Sequence, residues 1–189
     1  MKKIFAVAAV TTLVTSLSFS QQLGLHDIGG GIGYVSLSYN GTSTQTLGGF
    51  LIAAHANLGE LAKDLILIPD IEYFSTSKDV TGGTIKVSNF GINANAHYNI
   101  AMEGMVKPYV GAGLGINFLS TTASATYNNG FYTQTFSASE SFTRLGINLI
   151  VGANYKLNDK MTLLLEPRYV IASDFDNLQI KVGVTWALN

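Results

Sequence analysis

The sequence predicts an all-β protein: an eight-stranded antiparallel up-and-down transmembrane β-barrel. Three observations predict it. Apolar and polar residues alternate with a period of two along eight segments, the pattern of strands with two unlike faces. The polar half of each alternation is mostly Gly, Asn, Ala and Thr, whereas the apolar half carries Leu, Ile, Phe, Tyr and Trp. Charged residues are 12% of the chain, about half the usual ~25%, while glycine reaches 20 of 189 residues.

The first twenty residues read as an address. Lys2 and Lys3 form a positive start, Ile4 to Leu17 is largely apolar, and Ser18-Phe19-Ser20 places small residues at a cleavage site before Gln21. A cleaved signal over 1–20 and a barrel domain over 21–189 are expected, because the apolar run is shorter than the ~20 residues a spanning helix needs. Loss of the two lysines moves the net charge from −1 to −3, which argues against a nucleic-acid partner. The chain has no cysteine, which excludes disulfides, a thiolate nucleophile, a Cys-based zinc site and a lipid-bearing cysteine.

The first strand, Ile28 to Asn40, has the poorest alternation. Ile32 and Tyr34 fall on one parity and Val35, Leu37 and Tyr39 on the other, so a bulge near Gly33–Val35 is expected. Phe50 to Leu58 sets Phe50, Ile52, Ala54, Ala56 and Leu58 against His55 and Asn57. A short connection at 57–64 has the only hint of a helical period. Leu65 to Phe74 sets Leu65, Leu67, Pro69, Ile71 and Tyr73 against Asp70 and Glu72. From Phe90 to Ile100, apolar residues alternate with Gly91, Asn93, Asn95, His97 and Asn99. Val110 to Leu119 alternates with Gly111, Gly113, Gly115 and Asn117, and Phe142 to Leu157 has Leu145, Ile147, Leu149 and Val151 against Arg144, Gly146 and Asn148. In Lys160 to Ser173, Glu166 and Arg168 oppose Leu163, Leu165, Pro167 and Tyr169. Leu178 to Leu188 opposes Ile180, Val182, Val184 and Trp186 to Gln179, Lys181 and Gly183.

Eight such strands close either with the apolar face inward, as a soluble secreted lipocalin-like barrel binding an apolar ligand, or outward, as a membrane barrel. An eight-stranded interior is crowded, so the small face belongs inside and the bulky face in lipid. Charge agrees. Asp70, Glu72, Arg144, Glu166, Arg168 and Lys181 all fall on the small face, where three acids and three bases are expected to pair as a lumen network. Phe50, Tyr73, Phe90, Tyr98, Phe118, Tyr155, Tyr169 and Trp186 lie on the bulky face near strand ends, as the two aromatic girdles of a membrane barrel require. Tyr109 points inward by parity and is expected at the rim.

If the chain starts in the periplasm, the connections at 59–64, 101–107 and 158–159 are its short turns. Those at 41–46, 77–83, 121–141 and 174–176 then face outward, and 121–141 is much the longest.

At this point the sequence resembles the small OmpA/OmpX-like outer-membrane barrels of Gram-negative bacteria. The resemblance rests on Lys107-Pro108-Tyr109-Val110-Gly111-Ala112-Gly113-Leu114-Gly115, on Glu166-Pro167-Arg168-Tyr169, and on Asp176-Asn177 with Val182-Gly183-Val184-Thr185-Trp186. It implies a cell outer membrane location and lipid as a partner, and it covers essentially the whole mature chain. The family's last strand usually ends in an aromatic read by the assembly machinery. Here Leu188 stands roughly in that place and Trp186 is the alternative. The soluble peptidoglycan-binding domain of full OmpA-like proteins is not expected here.

No catalytic set, cofactor or metal site is expected. Gly29-Gly30-Gly31-Ile32-Gly33 and the glycines of 111–115 lack the strand-to-helix context of a phosphate loop, and thin the inner face instead. His55 and His97 lie on the inner face without a third ligand, and His26 precedes the first strand. Lipid A deacylases of this barrel size use a His-x-Ser pair, but Ile28, Asn57 and Asn99 follow the three histidines here. The expected role is therefore non-enzymatic, envelope-structural or surface-interacting, with the lumen filled by side chains; a small porin-like channel is the alternative. The tyrosines and phenylalanines of 121–141 make that loop the expected surface for an extracellular partner, against the equal alternative of a polar loop that meets none.

Overall fold

The computed structural model describes residues 23–40, 44–80, 82–128, 132–173 and 175–188; the expected signal at 1–20 and part of the loop at 41–46 lie outside these. Nine strands run in chain order: β1 (Asp27–Asn40), β2 (Thr44–Asn57), β3 (Glu60–Ala62), β4 (Leu65–Val80), β5 (Gly83–Asn99), β6 (Val106–Asn128), β7 (Thr133–Lys156), β8 (Met161–Ala172) and β9 (Phe175–Ala187). Eight of them close a barrel. Each long strand pairs antiparallel with the next, β2 pairs with β4, and β1 with β9. The remaining strand, β3, is a three-residue piece in the β2–β4 turn that lies against the start of β4. The hint of helix at 57–64 is thereby corrected to a strand and a tight turn. The β2–β4 register runs from Gly49↔Thr76 to His55↔Asp70 and stops at Pro69, which has no N–H to donate. Leu58 and Leu67 resume it with a 3.0 Å hydrogen bond.

The bulky faces point outward. Ile32, Leu114, Leu145 and Val182 are exposed and Phe50 is 85% exposed, whereas Asp70, Glu72, Glu166, Arg168 and Lys181 are buried inside. This inversion removes the apolar-in alternative, since the bulky apolar face covers the outside of the barrel. All eight aromatics expected in the girdles stand on the exposed face. Tyr73, Phe90 and Phe118 share one register row, with the Phe90 and Phe118 centroids 6.3 Å apart.

β1 carries no bulge. Its register to β2 and β9 is unbroken from Asp27 upward, and its apolar residues change face instead. Ile32 and Tyr34 face out, whereas Val35 and Leu37 are fully buried. They belong to an apolar cluster with Leu47, Leu51, Phe74, Val87, Leu119, Ala172 and Phe175, which fills the lumen at its 80–83 hairpin end. The Phe74 and Phe175 rings stack there with centroids 6.1 Å apart and planes 3° apart.

The expected loops at that end are shorter than the sequence suggested, because the strands continue into them. β4 and β5 pair up to Val80↔Gly83, and β6 and β7 pair up to Asn128↔Thr133. The segment 121–141 is thus a paired hairpin rather than a loop, its tip at 129–131 outside the described residues. β7 meets β8 only from Gly146↔Ala172 downward, so residues 133–145 of β7 pair with β6 alone and the barrel wall is tall on one side.

Candidate functional site

Below the apolar cluster the lumen is built in two further layers. The first is amide. Asn89 Nδ2 donates to Asn117 Oδ1 (3.0 Å), and Asn148 Nδ2 donates to both Asn93 Oδ1 (3.0 Å) and Asn95 Oδ1 (2.9 Å). Gln179 Nε2 donates to Asn177 Oδ1 at 3.0 Å. Glycines make the room. A Cβ on Gly113 or Gly115 would collide with the Asn95 or Asn93 amide.

The second layer is ionic and hangs from the amides. Asn93 and Asn95 donate to the two oxygens of Asp70 at 2.7 and 2.6 Å, and Gln179 donates to Glu72 at 2.9 Å. Arg168 lies at its centre, 1% exposed, with nitrogens 2.5 Å from Asp70, 3.3 Å from Glu72 and 3.0 Å from Glu166. Lys181 Nζ reaches Glu166 Oε1 at 2.7 Å. A planar guanidinium with five fixed donors suits one cation serving three carboxylates.

Five of the six expected network residues therefore meet. Arg144 does not. It projects above Gly146, the last β7 residue that pairs with β8, and its guanidinium lies 4.7 Å from the Phe142 ring centroid. Its side-chain hydrogen bond runs to the Thr143 carbonyl at 3.3 Å.

Tyr109 is corrected from rim to lumen. It is 1% exposed, donates its hydroxyl to Glu166 Oε2 at 2.8 Å, and stacks on His97 at 4.6 Å. The signal was present in the strand register, since Gly152 is the residue opposite it and any Cβ there would strike the ring. Tyr109→Phe is expected to destabilise the barrel by about 1.5–3 kcal/mol, the range for a hydrogen bond to a charged group. Urea titration of the variant in detergent micelles checks this, and a midpoint equal to the parent's would show that Glu166 does not need the donor.

A cavity of about 140 Å³ lies beneath the ionic layer and opens toward the short-turn end, past Asp27, Asn57, Asn99 and Thr185. His55 stands on its wall, with Nε2 2.9 Å from Thr185 Oγ1. His97 Nε2 also faces it, 3.9 Å from Glu166 Oε2. Among the described residues no cluster of three His, Cys, Asp or Glu side chains could hold a metal ion. In the β7–β8 turn, outside the spanning strands, the hydrogen bond and charge of Lys156 hold the Asp159 carboxyl below its ordinary range. That pair is exposed and adds little to stability.

This architecture has known counterparts. The model of the outer membrane protein beta-barrel domain family matches residues 5–187. Neisserial surface protein A is similar in structure, with a TM-score of 0.59 and 19% identity over 85% of this chain and 95% of that one. Ail, the attachment invasion locus protein of Yersinia pestis, has a TM-score of 0.53 and 15% identity over 87% of this chain and 100% of that one. At these identities the likeness is one of fold. An uncharacterized protein of Haemophilus influenzae is 28% identical over 110 residues, which is 58% of this chain. The match spans 57% of that relative's length.

Proposed function

The chain belongs to the outer membrane protein beta-barrel domain family, and from that premise we propose that it is a non-enzymatic barrel with a filled lumen, serving the envelope as a structural and surface-interacting protein. It resides in the outer membrane, with its bulky face in lipid. The observation that carries the proposal is the stacking of three different side-chain layers, apolar, amide and ionic, across the lumen. An eight-stranded barrel leaves little more than side-chain space inside. The layers use that space, and the cavity beneath them is closed above by Arg168. The carboxylates of the ionic layer are all engaged by Arg168, Lys181 or Tyr109, which leaves none poised as an acid or base.

In this reading the short turns face the periplasm and the tall β4–β7 wall faces outside. The β6–β7 hairpin supports a surface role, because it holds Phe136 exposed on a paired scaffold, with exposed Tyr132 next to its last pair. Aromatic area on a rigid support binds at low entropic cost. The test is electrical. The full chain reconstituted in a planar phospholipid bilayer is expected to give no unitary current steps. Steady steps in every active preparation would replace this proposal with the porin-like one.

A further inference from the structure

Above the girdle row the outward face of the tall wall changes character within one register step. Three rows of four residues cross β4, β5, β6 and β7 in exact register order: Ser75–Ser88–Ser120–Ser141, then Ser77–Lys86–Thr122–Ser139, then Asp79–Thr84–Ser124–Ser137. These residues share the strand parity of the exposed Tyr73, Phe90, Phe118 and Leu145, and the alternate positions Phe74, Thr76, Val87, Asn89 and Leu119 are buried inside. Ten of the twelve carry hydroxyls, with one lysine and one aspartate. Strand geometry sets their spacing at about 4.8 Å across the strands and about 6.8 Å along them. Some hydroxyls already pair, as in Thr122 with Ser139 at 3.0 Å and Ser75 with Ser88 at 3.3 Å. A hydroxyl has one donor and two acceptor sites, so a paired one still binds.

A wall facing bulk water is ordinarily a mixture of both charges. This one is a lattice mainly of hydroxyls, which both donate and accept; its one carboxylate, Asp79, accepts from Thr84 at 2.8 Å. Its position decides what it meets. The row directly beneath it is Tyr73–Phe90–Phe118, on the lipid-facing surface, so the lattice continues that interface into the headgroup layer. The geometry points to a docking surface for the saccharide headgroup of an outer-leaflet glycolipid. Sugar hydroxyls match the lattice, and Lys86 supplies one cation for a headgroup phosphate or carboxylate. The ladder hydrogen bonds fix the lattice in advance, so little ordering entropy is lost on binding.

The inference rests on the proposed orientation of the tall wall, and one experiment separates the two. Because the chain has no cysteine, Gln134→Cys gives a unique label site on the hairpin. Its labelling by an impermeant maleimide on intact cells reports the orientation. Labelling only after permeabilisation overturns both readings. The full chain is then purified in detergent from membranes to which deep-rough lipopolysaccharide, lipid A with its inner-core sugars, and phosphatidylethanolamine are added equally. Preferential retention of the lipopolysaccharide is expected. The variant S88A/S120A/T122V/S139A is expected to retain about ten-fold less, as for the loss of one to two net hydrogen bonds. Its heat-modifiable migration on electrophoresis confirms that it has folded. If that variant does not fold, the parent is compared on lipid A with and without the core sugars, and a preference for the sugared form is expected. Equal retention by parent and variant, or indifference to the sugars, overturns the docking surface and leaves the orientation standing.

Discussion

Arg168→Met should lower the unfolding free energy of the barrel by about 3–5 kcal/mol, the range for breaking a buried ion pair from one side. The guanidinium is the only group that touches Asp70, Glu72 and Glu166 together among the described residues. Methionine fills much of its volume but leaves two of the three carboxylates without a cation in contact, since Lys181 reaches Glu166 alone. Urea unfolding in lipid vesicles, followed by the fluorescence of the single tryptophan, Trp186, measures the loss. Adding Asp70→Asn and Glu72→Gln to Arg168→Met should recover part of it, because the damage comes from uncompensated charge rather than from the missing contact. A parent-like midpoint for Arg168→Met would mean that water already neutralises the layer.

Phe74→Ala should cost a comparable ~3–5 kcal/mol, as truncation of a fully buried ring adds a cavity to the lost transfer energy. Its ring stacks on Phe175 and closes the apolar cluster, so the neighbours cannot collapse without moving β9. Because the amide and ionic layers lie beneath it, this variant alone should remain silent in a planar bilayer. Combined with Arg168→Met it should give flickering current steps. Equal steps from Phe74→Ala alone would show that the apolar layer is the whole seal.

What the sequence revealed and what it hid follow from the same rule. Period-two alternation reports faces, and faces were legible wherever one face is uniform, as in β5 with Asn93, Asn95 and His97 against Ile92, Ala94 and Ala96. The rule misled where the lumen itself is apolar. Val35 and Leu37 read as a slipped register, because a hydrophobic residue on the small face looks like an error unless an apolar layer awaits it. Tyr109 was misplaced for the opposite reason. Its parity was right, but the room for it is a glycine on another strand, visible only once Tyr109↔Gly152 is known. Arg144 shared the parity of the ionic residues but not their height, and height depends on inter-strand stagger, which a single strand does not encode. The hairpin at 121–141 read as a loop because serines and threonines alternate with alanines there, and both faces look polar or small.

The layered lumen also determines where an electric field falls. The cavity beneath Arg168 opens toward the short-turn end, whereas the Val35, Leu37, Phe74 and Phe175 layer at the other end is hydrocarbon. An electrolyte in series with a thin dielectric places nearly all of an applied voltage across the dielectric. The buried charges of Asp70, Glu72, Glu166, Arg168 and Lys181 lie within that dielectric, each shielded from water. Tied to one another and to Asn93, Asn95 and Gln179, they have no room to move along the field, so a change in membrane voltage does little work on them.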